Sequence, residues 1–159
     1  MKKFFLTIFL ISALTSNLFA ASSSSGSSTK SNYDQAVKLI KSAKSYEKKG
    51  KLDKATKRYE KAFKLLIKSN KKKPSQPDTL NYLGFTSRKI GNYEVAEKYY
   101  LEGLALDPNH NGINEYLGEL YVKTNRIEKA KERLEVLKNC NCEEFQELNN
   151  VINSGISKY

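Results

Sequence analysis

A spaced pattern of small and apolar residues occurs twice in this chain of 159 residues, with a period of 34 residues. The first copy begins at Leu83-Gly84 and the second at Leu117-Gly118. Each copy continues with an Ala and, four residues later, a large apolar residue; these are Ala96 and Tyr100, then Ala130 and Leu134. Self-similarity at such a period indicates stacked supersecondary units that bury their apolar faces against one another. The pattern therefore predicts a repeat protein built from helix pairs.

The two copies, with Pro108 closing the first, resemble the tetratricopeptide repeat family. The resemblance implies an all-α fold, a right-handed α-solenoid of three helix pairs plus a C-terminal capping helix. It also implies a binding scaffold without chemistry of its own. The chain departs from the family pattern at a few positions, which are Leu80, Ser87, Gly103 and Cys142. The segment Asn139–Phe145 is also similar to the end of small exported bacterial proteins of this family.

The second repeat spans 77–110 and the third 111–141. Pro77 suits the first turn of a helix, where its missing N–H group would have no partner in any case. Gly91 is expected to end the first helix of the second repeat, and Thr124-Asn125 is the corresponding turn of the third. Gly84 and Gly118 are explained by close approach of the two helices within a pair.

A degenerate first repeat spans 32–73, because Gly50, Ala55 and Tyr59 align with Gly91, Ala96 and Tyr100. Its offset from the second repeat is seven residues too long, which equals about two helical turns and predicts a lengthened second helix. A final helix over 142–156 would cover the last apolar face, and Asn141 is its expected N-cap, with Glu144 completing a capping box. Seven helices are expected in all.

The N-terminal segment 1–20 has the organisation of a secretory signal peptide. Lys2 and Lys3 precede a short apolar stretch that ends near Leu14, and cleavage is expected after Ala20. The Ser-rich segment 21–31 is typical of a flexible linker. We therefore expect export, with the bacterial periplasm as the destination. An uncleaved N-terminal membrane anchor is the alternative.

The positive charge is concentrated in the first repeat. Residues 30–73 contain 16 Lys and Arg against 4 Asp and Glu, whereas residues 74–159 contain 10 against 13. A cationic block can hold anionic lipid, polysaccharide or an acidic partner. The alternative is a solvated helix surface in a lysine-rich chain, because isolated lysines are weakly specific and screened by salt. Nucleic acid is not an expected partner of an exported protein.

The sequence contains no pattern typical of an enzyme, a cofactor site or a metal site. Its one His, His110, lies in a turn, where it is expected to be solvated and without a neighbouring acid. Two Cys and one distant His fall short of the four ligands of a tetrahedral metal site. No phosphate-binding loop or metalloprotease motif is present. We predict a non-enzymatic protein without cofactor or metal.

Cys140 and Cys142 are the one reactive pair of side chains in the sequence. They can close a small disulfide within the chain, they can take part in thiol exchange because Cys142 lies at a helix N-terminus, or one can pair with another chain. Two turn cysteines that hold the final helix against the stack are the simplest interpretation. All three readings stay open at this point.

The resemblance implies that a partner binds to the groove lined by the first helix of each pair. Such a groove suits a short protein or peptide segment, while self-association through an exposed end of the stack is a further alternative. The family's groove positions map here onto Lys44, Lys48, Asn81, Phe85, Arg88, Glu115, Glu119 and Lys123.

Overall fold

The structure is a computed structural model, and it describes residues 30–155. Within that range the chain forms seven α-helices and no β-strand, so the predicted all-α fold is confirmed. The predicted signal peptide, 1–20, and nearly all of the linker, 21–31, lie outside the described residues. The helices are α1 (Asn32–Lys48), α2 (Leu52–Lys72), α3 (Pro77–Lys89), α4 (Tyr93–Leu106), α5 (Asn111–Lys123), α6 (Ile127–Leu137) and α7 (Glu143–Ser154).

The helix ends follow from local chemistry. The Ser31 hydroxyl accepts a hydrogen bond from the Asp34 N–H group, and the Asp34 carboxylate accepts one in return from the Ser31 N–H, which makes a capping box for α1. Pro77 opens α3, and Gly91 follows it with a φ of 86°. Asn125 takes the same left-handed conformation after α5, with a φ of 58°. Both turns were predicted from the sequence.

The predicted start of the last helix is wrong by one residue. Cys142, in an extended conformation, is the N-cap of α7. Asn141 instead has a φ of 49°, which is the left-handed region. An N-cap residue needs an extended backbone so that its side chain can reach the free N–H groups of the first turn. Asn141 therefore belongs to the turn before the helix, and no side chain caps α7.

Successive helices pack as pairs, with α1 on α2, α3 on α4 and α5 on α6. The pairs stack through α2 on α3 and α4 on α5, while α7 covers α5 and α6. The second helix of the first pair has 21 residues against 14 in α4, so the predicted two extra turns are confirmed. Leu66, in the lengthened part, is fully buried. None of the helices between residues 30 and 155 is both long and apolar enough to cross a bilayer.

Two glycines allow helices to approach closely. A methyl group on Gly84 would overlap the ring of Tyr100, so α3 and α4 meet there as predicted. Gly118 differs from the prediction, because a methyl group on it would come within 2.5 Å of Leu148 Cδ2 in α7 rather than meet a residue of α6. The glycine of the third repeat thus provides the seat for the capping helix.

Candidate functional site

The first helices of the three pairs, α1, α3 and α5, line the inner face of a curved stack. The Lys44 ammonium group donates a hydrogen bond to the Tyr116 hydroxyl over 3.3 Å, although 72 residues separate the two in sequence. Lys44 belongs to the first repeat and Tyr116 to the third. Contact between non-adjacent repeats on this side shows that α1, α3 and α5 curve towards one another. We call their shared surface the inner face.

Phe85 lies at the centre of the inner face. Its ring centroid is 5.7 Å from that of Tyr59 in an edge-on arrangement and 4.9 Å from that of Tyr116. The Lys44 ammonium group lies 4.8 Å from the same centroid, within range of a cation–π interaction. Phe85 is 0% exposed. In this conformation the ring packs the three repeats together, and its role in partner binding remains a prediction.

A buried ion pair joins the second repeat to the third. Arg88 Nη1 lies 2.7 Å from Glu119 Oε2, and the two side chains are only 6% and 0% exposed. The guanidinium carbon of Arg88 also lies 5.6 Å from the Phe85 ring and 5.7 Å from the Tyr116 ring. Removing one member of a charged pair in such a dry setting strongly destabilises the folded protein, because the remaining ion stays buried without its partner. Arg88 and Glu119 thus fix the relative position of α3 and α5.

A carboxyl pair joins the third repeat to the capping helix. Burial raises the pKa of Glu115 to about 10, and a hydrogen bond with Glu147 and the negative charges of Glu119, Glu147 and Glu144 add to the effect. At neutral pH Glu115 is therefore protonated and donates a hydrogen bond to the carboxylate of Glu147. Glu147 is not among the site residues predicted from the sequence, because the pattern of α7 predicts only a helix whose apolar side covers the end of the stack. The signal available was its place beside the apolar stripe residue Leu148.

The structure brings most of the predicted groove residues together but buries them. Asn81, Phe85, Arg88, Glu115 and Glu119 are all less than a tenth exposed. Lys44 is partly buried, and this burial lowers its pKa even though Glu115, Glu147 and Glu119 are close. Lys48 and Lys123 are exposed. Partner binding by these eight residues remains a prediction, and in this conformation only the three lysines offer side-chain surface to a partner.

The exposed lysines belong to one edge of the inner face. The helices α1, α3 and α5 end on Lys48, Lys89 and Lys123. Because alternate helices of the stack run in the same direction, these three ends lie along one edge, which we call the lysine rim. Lys89 Nζ is held 2.6 Å from Glu47 Oε1. Lys48 and Lys123 have no ion-pair partner among residues 30–155 and face solvent on either side of it.

His110 has a structural place that the sequence did not reveal. Its Nδ1 atom accepts a hydrogen bond of 3.2 Å from the Ile113 N–H group, so His110 is the N-cap of α5. Its Nε2 atom lies 3.1 Å from Asp78 Oδ1 in the first turn of α3. The expectation of a solvated His without a neighbouring acid is therefore wrong. The neutral tautomer with the proton on Nε2 satisfies both contacts and links the second and third repeats.

The two cysteines form a disulfide between Cys140 and Cys142, with Cα atoms 5.1 Å apart. It lies where the chain passes from the end of α6 to the N-cap of α7. Over residues 30–155, no group of three or more His, Cys, Asp or Glu side chains is placed to hold a metal ion. The disulfide is consistent with a fastener for α7, and a thiol-exchange role remains a prediction.

Helix pairs stacked into a curved array define the class of α-solenoid repeat proteins. Residues 34–109 match the family model described as tetratricopeptide repeat, so this segment of the chain belongs to the tetratricopeptide repeat family. This match covers the first two repeats. The third follows from the structure, where α5 and α6 form a pair like the two before it.

Solved structures share the fold at low sequence identity. The type III secretion translocator chaperone SycD of Yersinia enterocolitica is similar with a TM-score of 0.54 and 22% identity, over 76% of this chain and 88% of that one. An O-GlcNAc transferase of Thermobaculum terrenum reaches a TM-score of 0.53 at 18% identity, over 82% of this chain and 24% of that one. These likenesses concern the fold alone.

A curated relative is the uncharacterized protein ycf37 of Guillardia theta. It is 39% identical over 59 residues, which are 36% of this chain and 33% of that protein. The chain thus spans about a third of the length of the curated relative that it matches.

Proposed function

We propose that this chain is an exported, non-enzymatic scaffold of the bacterial periplasm that holds a protein or peptide partner at its inner face. The observation that carries the proposal is the curved surface of α1, α3 and α5, fixed by the Phe85 ring cluster and the Arg88–Glu119 pair. Curvature of a solenoid creates an extended concave surface that suits partner binding. A surface locked by packing loses little entropy when a partner settles on it.

The contact surface differs from the one that repeat positions alone predict. The buried side chains form a rigid support, whereas Lys44 and Tyr116 are partly exposed and Lys48 and Lys123 are exposed. Tyr116 offers an amphipathic ring, and the lysine rim offers positive charge at one edge. This combination suits a peptide segment that carries an apolar side chain next to carboxylates.

The test compares two matched double variants. Lys48→Glu/Lys123→Glu reverses the exposed charges of the lysine rim, while Lys98→Glu/Lys131→Glu makes the same change in charge on α4 and α6. Each protein is immobilised and exposed to periplasmic extract, and bound proteins are quantified by mass spectrometry. We expect the wild type and the control to retain a partner that the rim variant loses, at equal thermal stability. If all three proteins retain the same bound proteins in equal amounts, the lysine rim is not the binding surface.

Phe85→Ala is not a suitable probe of binding. Removing a fully buried ring leaves a cavity and costs about 3–5 kcal/mol of stability, so lost binding could not be separated from lost folding. The export part of the proposal has its own test, which is the mass of the protein recovered from cell fractions. Cleavage after Ala20 gives a periplasmic chain that begins at Ala21. An intact chain in the membrane fraction indicates an anchor, and an intact cytoplasmic chain contradicts export.

A further inference from the structure

The outer side of α2 carries a regular row of lysines. They recur every three or four residues, which is the spacing of neighbours on one side of an α-helix. All of them are exposed. We call this set the outer lysine row: Lys57, Lys61, Lys64, Lys68 and Lys71.

The outer lysine row lies opposite the buried side of the same helix. The core side of α2 is formed by Ala55, Tyr59, Ala62 and Leu66. From 53 to 72, every exposed residue of this helix is Lys except Asp53, Thr56 and Glu60. The exposed surface from 53 to 72 is therefore mostly cationic, and the exposed apolar side chain of this helix, Leu52, lies at its N-terminus, before the row.

The arginine of α2 is turned away from the row. Its guanidinium carbon, in Arg58, lies 5.5 Å from the ring centroid of Tyr46 on α1. Lys54, one turn before the row, also lies over this ring, at 6.0 Å. The row itself is thus made of lysines alone.

Within residues 30–155, the charges of the row have no acidic partner. Three lysines elsewhere in the structure have an acidic partner, namely Lys89, Lys131 and Lys138. No lysine of the row has an ion-pair or hydrogen-bond partner among residues 30–155. The segments 1–29 and 156–159 contain no Asp or Glu that could supply one. Such an unbalanced row repels itself and is stabilised by an external anion.

Cations also crowd each other on the neighbouring helix of the same repeat. The side chain of Lys30 interacts with that of Lys38, and together with the positive charge of Lys30 this lowers the pKa of Lys38. Lys38 and Lys41 are exposed on α1. The first repeat thus adds further exposed cations to those of the outer lysine row, although Asp34, Asp53 and Glu60 are also exposed in it.

We propose that the outer lysine row docks this protein on the surface of an anionic lipid bilayer, with the inner face left free for its partner. Lys57 and Lys71 are 14 positions apart, which corresponds to about 21 Å along a straight helix. A straight row of flexible point charges matches a plane of phosphate groups and needs no defined pocket. Because the row itself holds no apolar side chain, it adsorbs electrostatically and does not insert.

Other polyanions fit the row less well. Single-stranded nucleic acids are held by aromatic side chains and Arg that stack on bases, and the row has neither. Tight recognition of individual sulfate or phosphate groups favours the planar fork of Arg, which is absent from the row. A lipid surface carries diffuse negative charge, which lysines can bind without aromatic side chains or Arg.

The experiment measures vesicle binding by the full chain and two triple variants. Lys57→Gln/Lys61→Gln/Lys64→Gln neutralises the row, and Lys98→Gln/Lys131→Gln/Lys138→Gln removes the same charge from α4, α6 and the turn that follows α6. Binding is measured by co-sedimentation with vesicles of phosphatidylcholine alone and of phosphatidylcholine mixed with phosphatidylglycerol. The apolar stretch near the N-terminus is common to all three proteins, so the uncharged vesicles report its contribution. The quantity compared is the gain in binding on adding the anionic lipid.

We expect the row variant to lose about 100-fold of this gain, since each lysine near an anionic surface contributes about 1 kcal/mol. The control variant should stay within a few-fold of the wild type. Raising the ionic strength from about 0.01 M to about 0.15 M shortens the screening length from about 30 Å to about 8 Å and should abolish most of the gain. Circular dichroism checks that all three proteins are folded.

Three results would overturn the proposal. Equal losses in both variants would mean that net charge acts without regard to position. No gain on adding phosphatidylglycerol to the wild type would exclude a lipid surface. Row-dependent binding to double-stranded DNA or a sulfated polysaccharide, without row-dependent binding to vesicles, would assign the row to a linear polyanion.

Discussion

The side chains of Glu115 and Glu147 are hydrogen-bonded to each other, so a single proton joins α5 to the capping helix α7. Glu115 is buried, and Glu119, Glu144 and Lys44 are the other charged groups near it. Its pKa is raised from 4.5 to about 10. At a pH between these two values, the folded protein therefore keeps a proton that the unfolded chain releases.

The first prediction concerns pH. The stability that the proton contributes is fully present below the unfolded pKa of 4.5, and it declines as the pH rises towards about 10. Glu115→Gln keeps the shape and a donor towards Glu147 without a titrating group. We expect this variant to be more stable than the wild type at mildly alkaline pH, with a flatter pH profile. Urea unfolding across the range measures both.

The control for this prediction is Glu132→Gln, since Glu132 is exposed on α6 and lies outside the carboxyl pair. Its profile should follow that of the wild type. Parallel profiles for wild type and Glu115→Gln would show that the proton between Glu115 and Glu147 contributes nothing to stability.

The second prediction concerns the seat of α7. Gly118→Ala places a methyl group against Leu148, and overpacking of this kind costs about 1–3 kcal/mol. Leu148→Ala leaves a cavity and is also destabilising, by about 2–5 kcal/mol. The double variant should recover part of the loss, because the smaller side chain makes room for the methyl group. A double-mutant cycle from thermal unfolding tests this, and additive losses would contradict the contact.

The third prediction concerns the Arg88–Glu119 pair. Arg88→Met strands the Glu119 carboxylate in a dry site and should cost about 3–5 kcal/mol. Replacing both residues, as Arg88→Met/Glu119→Met, removes both buried charges and should restore much of the stability. Exposed pairs serve as the reference, because losing Lys131–Glu128 should cost less than about 1 kcal/mol. Denaturant unfolding compares the wild type, Arg88→Met, the double variant and a variant that lacks the Lys131–Glu128 pair. If the double variant is as unstable as Arg88→Met, the buried unpaired charge is not the cause of the loss.

The fourth prediction concerns the disulfide. Asn141 is the one residue between Cys140 and Cys142, so the bond closes a very small loop. Loop-closure entropy then gives a stabilisation of about 1–2 kcal/mol. Cys140→Ser/Cys142→Ser should lower the thermal midpoint modestly while leaving partner binding intact. Lost partner binding in a fully folded variant would instead support thiol exchange.

Much of the fold was predictable because the helix pairs carry local signals. Ala55, Ala96 and Ala130 occur at the same place in each pair and are all buried. The seven extra residues of the first repeat could be placed in α2 because helical phase leaves few other positions for them. The capping residue of α7 was misplaced since Asn141 suits both a left-handed turn and an N-cap.

The candidate site was harder to predict, because repeat positions identify a helix face but not what covers it. Phe85 and Arg88 do lie on the inner face, yet the curvature that brings Tyr116 to Lys44 buries them. The partners of Glu115 and Gly118 lie on α7, outside the repeated pattern. A 34-residue period carries no information about an element that occurs once.

The two additional turns of α2 have a consequence for how such a protein can change in length. Seven residues at 3.6 per turn advance the helix by about 10 Å and leave its phase almost unrotated, about 20° short of two full turns. The buried side of α2 therefore continues in line, and the second repeat begins in the orientation that a shorter helix would have given it. The length of α2 is thus adjustable in steps of seven residues at nearly constant orientation of its buried side.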